Sequence, residues 1–277
     1  MAQPGSQFTP SLPAVMVSRL EELRGALRET AVARTGLATG WPDLDELLPG
    51  GGLRRGGVHE WVGVAPPPDG EKSDERSAFW CPPLAIVSHL VRRALAAAGD
   101  PVSYPVWIGA AVWPYPRTLV EMADRQRAAP LERSLFVRAP DRASRLWAAD
   151  VALRNPAVAA VVADGSGFDL AATRRLQLAA EVGGTLCLLA RPPREQSVLS
   201  AATTRWSVRS CPSLVVPAKR WTVELLRCKG MRPVPGACDL RILEHDHATG
   251  AIALVPDLLD GPGQAEVEVV KPVRRTG

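Results

Sequence analysis

Thr39-Gly40-Trp41-Pro42-Asp43-Leu44-Asp45-Glu46-Leu47-Leu48-Pro49-Gly50-Gly51-Gly52-Leu53, followed by Gly56-Gly57-Val58-His59-Glu60-Trp61-Val62-Gly63, is the stretch that decides the fold. Glycine and proline punctuate it as far as Gly57, so the backbone turns repeatedly before settling. Val58 to Val62 then reads as a short strand closed by a glycine. A strand ending on glycine is where a phosphate-binding loop opens. Such a loop reads G-x-x-x-x-G-K-[ST] and aims consecutive backbone N–H groups at phosphate from a helix N-terminus. Here the chain runs Gly63-Val64-Ala65-Pro66-Pro67-Pro68-Asp69-Gly70-Glu71-Lys72-Ser73. Gly63 and Gly70 stand too far apart for the motif, and three prolines remove three N–H donors. Glu71 places a carboxylate just ahead of Lys72 and Ser73. Pro82 and Pro83 suit a helix starting near Leu84, well past Ser73. Residues 64–81 therefore read as a polar surface loop, and no cofactor is expected there.

Beyond this point strands and helices alternate. Helices are predicted over 84–98, 117–128, 141–153 and 170–181, and strands over 102–110, 134–138, 157–163 and 185–190. Continuous apolar strands of this kind are buried on both faces, which predicts an α/β fold: a mostly parallel central sheet flanked by helices. After Ala190 the texture changes to strands joined by turns, over 205–209, 221–227, 240–243 and 251–255. Before the core, residues 14–29 space Val15, Leu20, Leu23 and Leu27 as an amphipathic helix. The chain thus divides into a disordered lead and N-terminal helix over 1–35, a core over 36–232, and a C-terminal β-hairpin region with a flexible tail over 233–277.

Composition bounds the function. The chain has 277 residues, 46% of them hydrophobic, enough for a substantial core. Its longest apolar run is far short of a membrane span, and the N-terminus shows no secretory pattern. Five cysteines form no C-x-x-C pair, as expected of reduced thiols in a cytoplasmic protein without a zinc site. His245 and His247 flank Asp246 on a turn and lack a third ligand, so no metal is expected. The net charge of +4 is mild, yet residues 191–232 hold nine Lys/Arg against two acids. That bias suits DNA backbone, an acidic partner, or a plain solvated face.

The opening stretch resembles the start of a RecA-type core, and the order of elements extends that resemblance over about 36–232. Ala160-Val161-Val162-Ala163-Asp164 looks like Walker B, whose aspartate helps hold the magnesium shell. The strand through Ile108 aligns with the one ending in the RecA catalytic glutamate; here the position falls on Ala111, which cannot orient a water. Leu186 to Arg191 aligns with the strand ending in the glutamine that senses the γ-phosphate; here it is Arg191. The resemblance therefore implies a RecA relative with a degenerate ATP site at Gly63, Gly70, Lys72, Ser73, Ala111, Asp164 and Arg191, and with no catalytic residue.

The opening pattern, the missing phosphate loop and Trp221-Thr222-Val223-Glu224-Leu225-Leu226-Arg227-Cys228-Lys229-Gly230 together resemble the ImuA family of DNA-damage-induced mutagenesis. That resemblance implies a non-catalytic adaptor of translesion synthesis. It would work beside an ImuB-like Y-family polymerase homologue, with RecA as a further contact and an error-prone DNA polymerase III α-type subunit reached indirectly. Alternatives are an active RecA/KaiC-type ATPase with an atypical phosphate loop, a SulA-like cell-division inhibitor, or a free-standing DNA-binding protein using the 191–232 stretch. Expected partner-binding residues are Leu20, Leu23 and Leu27 on the N-terminal helix, Trp80 and Trp113 in proline-rich loops, and Leu258 and Leu259 in the tail. The other tryptophans are mostly expected in the core.

Overall fold

The computed structural model describes residues 36–63, 80–100, 102–116, 131–211, 219–231, 240–245 and 251–255. The N-terminal helix with Leu20, Leu23 and Leu27, the 64–79 stretch with Gly70, Lys72 and Ser73, the helix expected over 117–128, and the tail with Leu258 and Leu259 lie outside the described residues.

The elements in chain order are α1 (Pro42–Glu46), β1 (Val58–Val62), α2 (Leu84–Ala98), β2 (Tyr104–Ile108), β3 (Leu135–Val137), α3 (Arg142–Leu153), β4 (Val158–Asp164), α4 (Leu170–Gly183), β5 (Leu186–Arg191), β6 (Thr204–Cys211), β7 (Lys219–Cys228), β8 (Leu240–His245) and β9 (Ile252–Val255). They build a nine-stranded sheet in the order β3-β2-β4-β5-β1-β6-β7-β8-β9. The run from β3 to β6 is parallel throughout, and β7, β8 and β9 continue it antiparallel. The expected mixed α/β fold with a mostly parallel core is what forms. The C-terminal strands are continuous with that sheet, β8 pairing with β7 and β9 with β8.

Strand alternation sends side chains to two faces, and a separate core forms on each. On one face α2 lays Ile86, Val87, Leu90 and Val91 over Trp61, Trp107, Val162, Leu188 and Trp206. The rings of Trp61 and Trp206, on neighbouring strands, stack at 5.4 Å. On the other face α3 and α4 bring Ala149, Leu153, Leu176 and Ala180 against Val58, Val161, Ala163, Cys187 and Leu189. Both faces of β1, β4 and β5 are covered, which is why β4 and β5 read as apolar runs as far as their carboxyl ends.

Helix ends follow local chemistry. The Asp141 carboxylate accepts from the Ser144 amide at 2.9 Å to cap α3, and Asp169 accepts from the Ala172 amide at 2.8 Å to cap α4. Gly184, at φ 65°, closes α4 in the left-handed conformation. The short helix α1 is absent from the sequence reading because five residues are too few to show a period. Tertiary contacts hold it instead. Asp45 accepts from the Thr39 amide at 2.8 Å, and the Trp41 indole donates to the Ile252 carbonyl at 2.8 Å, tying this turn to β9.

Candidate functional site at the carboxyl edge of the sheet

In an open α/β sheet, ligands bind beyond the carboxyl ends of the strands, where successive connections leave to opposite faces. Here the connection after β1 leads to α2 on one face and that after β4 leads to α4 on the other. Gly63, Asp164 and Arg191 end β1, β4 and β5 on this edge, and Ala111 lies in a 3₁₀ turn just beyond β2.

The end of β1 is occupied by protein. The Gly63 amide donates to the Arg191 carbonyl at 2.8 Å, extending the pairing of β1 with β5. A Cβ placed on Gly63 would stand 2.5 Å from the Cys81 carbonyl oxygen and 2.7 Å from Cε3 of Trp80. The returning chain therefore sits directly on the glycine. Trp80 is half-buried and packs against the core. Just before α2, Pro82 and Pro83 carry no N–H, and the first amide of the helix, Leu84, already donates to the Pro82 carbonyl at 2.7 Å. No side chain caps this helix.

Arg191 is fully buried and points inward. Its guanidinium donates to Glu60 at 3.1 Å, to Glu195 at 2.7 Å and to the Phe168 carbonyl at 2.9 Å. The second oxygen of Glu60 accepts from Arg205 at 2.7 Å, and Arg205 also donates to the Gln196 carbonyl at 2.7 Å. Glu195 in turn accepts from the Gly167 amide at 3.0 Å. Two guanidiniums and two carboxylates thus balance each other, clamping β5, β1, β6 and the turn after β4. Buried charges persist only when paired and hydrogen-bonded in this way. Three strands pass each other here, so Glu60, inconspicuous in its own segment, becomes the centre of the cluster. The sequence signal was a polar pair, His59-Glu60, inside a strand otherwise wholly apolar.

Asp164 is committed as well. Its carboxylate accepts from the Ser166 amide at 2.9 Å, and the Arg145 guanidinium stands 3.6 Å from its other oxygen. Arg145 also donates to the carbonyls of Asp164 at 3.0 Å and Ser166 at 2.9 Å. Asp164 therefore closes its own turn. Ala111 is exposed and presents only a methyl group. Trp113 meets Phe136 edge-on at 5.8 Å beside β3 and is 37% exposed, so a large part of its ring faces solvent.

Two histidines are buried neutral. His59 accepts from the Thr204 hydroxyl at 2.8 Å and donates to the Arg54 carbonyl at 3.0 Å. His89 donates to the Thr39 carbonyl at 2.8 Å, accepts from Arg92 at 3.1 Å and stacks on Trp41 at 4.4 Å. Burial lowers the pKa of each to about 4. Burial and the nearby Glu60 charge push the Cys187 thiol up, so this core cysteine stays protonated.

Among the described residues, the bases of the 191–232 stretch are only partly turned to solvent. Arg191 and Arg205 are internal, Arg220 pairs with Glu244, and Arg227 donates to the carbonyls of Ser200 at 2.8 Å and Ala202 at 2.7 Å. Arg194, Arg209, Lys219 and Lys229 remain exposed around it. Among the described residues, no group of three or more His, Cys, Asp or Glu is placed to hold a metal ion, and no helix is long and apolar enough to cross a membrane.

No family model matches the chain. It is similar to the curated Protein ImuA of Caulobacter vibrioides, in two strains. Identity to each is 35% over 240 residues, covering 81% of this chain and 90% of the relative.

Proposed function

The chain belongs to the ImuA family, and from that premise we propose that it is a non-catalytic, RecA-like accessory protein of DNA-damage-induced mutagenesis. It works in the cytoplasm as an adaptor beside an ImuB-like Y-family polymerase homologue, with an error-prone DNA polymerase III α-type subunit engaged through that assembly. The observation that carries this reading is the seating of Trp80 and Cys81 on Gly63. A phosphate cradle needs free backbone donors at that strand end and at the following helix N-terminus. Here the first position is covered, and two prolines stand immediately before the second. The mostly parallel sheet with helices on both faces supports the RecA-like core. Arg191, turned inward onto Glu60, is not free to bind phosphate.

The test is nucleotide binding. A ligand that binds only the folded state at about 100 times its Kd stabilises it by about 2.7 kcal/mol, worth roughly 5–10 °C in Tm for a protein of this size. ATP with magnesium is expected to leave Tm unchanged and to be hydrolysed no faster than in buffer. A shift of several degrees that disappears in Lys72→Ala would replace the adaptor reading with an ATPase working through an atypical loop.

Partner binding is a separate expectation. Deletion of 256–277, which removes Leu258 and Leu259, should leave the melting temperature unchanged and weaken capture of the ImuB-like protein. Equal affinity of the full-length and shortened chains in a calorimetric titration would move the contact to the N-terminal segment carrying Leu20, Leu23 and Leu27.

A further inference from the structure

On the outward side of α3 and α4 an apolar strip lies open to solvent. Trp147 and Val151 are one turn apart on α3, and Leu178 and Val182 are one turn apart on α4. Their exposures are 64%, 50%, 50% and 71%, values far from those of the residues that anchor the same helices, Ala149, Leu153, Leu176 and Ala180, which are fully buried. Helical periodicity places both pairs opposite the core-facing stripe. The two helices are fixed side by side: Arg142 meets Asp169 at 2.6 Å, and Asp150 accepts from Arg175 of α4 at 3.1 Å and from Arg154 of its own helix at 3.2 Å. The apolar pairs therefore belong to one rigid surface. Exposed tryptophan among aliphatic residues costs solubility and is the composition of a contact centre.

The charges around the strip select the occupant. Arg154, Arg174 and Arg175 are exposed beside it; the buried Asp150, paired with Arg154 and Arg175, supplies one balancing charge, and the exposed Glu181 is paired with Arg54, so the arginines stay in excess. A second copy of this chain would bring the same arginines against themselves across a two-fold contact, which like-charge repulsion disfavours. A nucleic-acid strand would find one aromatic platform and three aliphatic side chains, which do not stack on bases. A helix with a leucine-type seam and glutamates or aspartates along its flanks satisfies both features.

We propose that the outward α3–α4 face is a docking surface for an acidic amphipathic helix of another protein. The helices run for 12 and 14 residues, so the matching partner segment is about three to four turns long. This surface shares no residue with the carboxyl-edge site and does not depend on the adaptor reading.

The test uses the full chain and two synthetic peptides of about 18 residues, each with leucine at helical i, i+3, i+4, i+7 spacing. One carries glutamate at the remaining positions and the other lysine. Fluorescence anisotropy should show saturable binding of the glutamate peptide and none of the lysine peptide. Trp147→Glu combined with Leu178→Glu should weaken that binding about tenfold or more while Tm is unchanged, since both side chains are exposed. Arg174→Glu should weaken it too and flatten its salt dependence. Binding of neither peptide, equal binding of both, or binding unaffected by the double variant would overturn the proposal. A concentration-dependent dimer in sedimentation that is lost in the double variant would also overturn it, giving the surface to a second copy of the chain.

Discussion

Between pH 6.5 and pH 4 the protein is expected to lose a substantial part of its folding stability, through His59 and His89. Each has its pKa lowered from 6.5 to about 4, chiefly by burial. The unfolded chain therefore binds protons in this window that the folded chain refuses. The stability that the neutral imidazoles contribute is complete above 6.5 and drains away as pH falls towards 4. At about 1.4 kcal/mol per pKa unit the loss approaches 3 kcal/mol for each histidine. Two such losses rival the roughly 5–15 kcal/mol of an ordinary domain.

Two carboxylates overlap only the acid end of this window: Asp141, held down by the Ser144 hydroxyl, and Asp169, held down by the Ala172 amide, lose their contributions as pH falls through their ordinary 3.8 and below. Asp150 falls in the same range, because bonds from Arg175 and Arg154 outweigh its burial. Urea unfolding across the range should show a steep decline that becomes shallower in His59→Gln and shallower again with His89→Gln added. A flat profile between pH 7 and pH 5 would mean that neither imidazole is held neutral.

The second large effect is centred on Glu60. Glu60→Ala leaves the Arg191 and Arg205 guanidiniums buried on neighbouring strands without their shared carboxylate. Breaking a buried ionic cluster by removing one partner costs about 3–5 kcal/mol, because an uncompensated charge stays behind. Replacing Glu60, Arg191 and Arg205 together by apolar residues of similar volume should cost far less. Urea midpoints for the single and triple variants separate the two outcomes. A loss below about 1 kcal/mol for Glu60→Ala would show that water reaches the cluster and that it does not clamp the sheet.

Much of the architecture is legible along the chain. Val58–Val62 and Leu84–Ala98 form between the residues that composition and proline placement indicate, and the other core strands and helices among the described residues shift by only a residue or so at most ends. These segments have strong periodicity and firm stops: Asp141 and Asp169 open helices, and Gly99 and Gly184 close them. Local signals were weak where the departures occur. Helix α1 is a single turn. Strands β6 and β7 run further than their apolar centres because each is extended by pairing with the other. Trp147, grouped with the core by its residue type, stands on the outer side of α3.

At the candidate site the division is sharper. The three prolines and misplaced glycines of 64–73 speak against phosphate binding from sequence alone, since the missing N–H groups are a property of the residues themselves. That Trp80 and Cys81 close over Gly63, that Arg191 faces Glu60 instead of solvent, and that Asp164 is tied to Ser166 and Arg145 are facts of tertiary structure. All but the Asp164–Ser166 bond join residues well apart in the chain, and a side chain's direction depends on what the neighbouring strand or helix places opposite it. The sequence by itself determined the elements and the absence of a phosphate motif, because these rest on backbone chemistry and local periodicity. Which charges are buried, which are spent on one another, and which apolar side chains are left facing water were decided only when strands β5, β1 and β6 came side by side and α3 settled against α4.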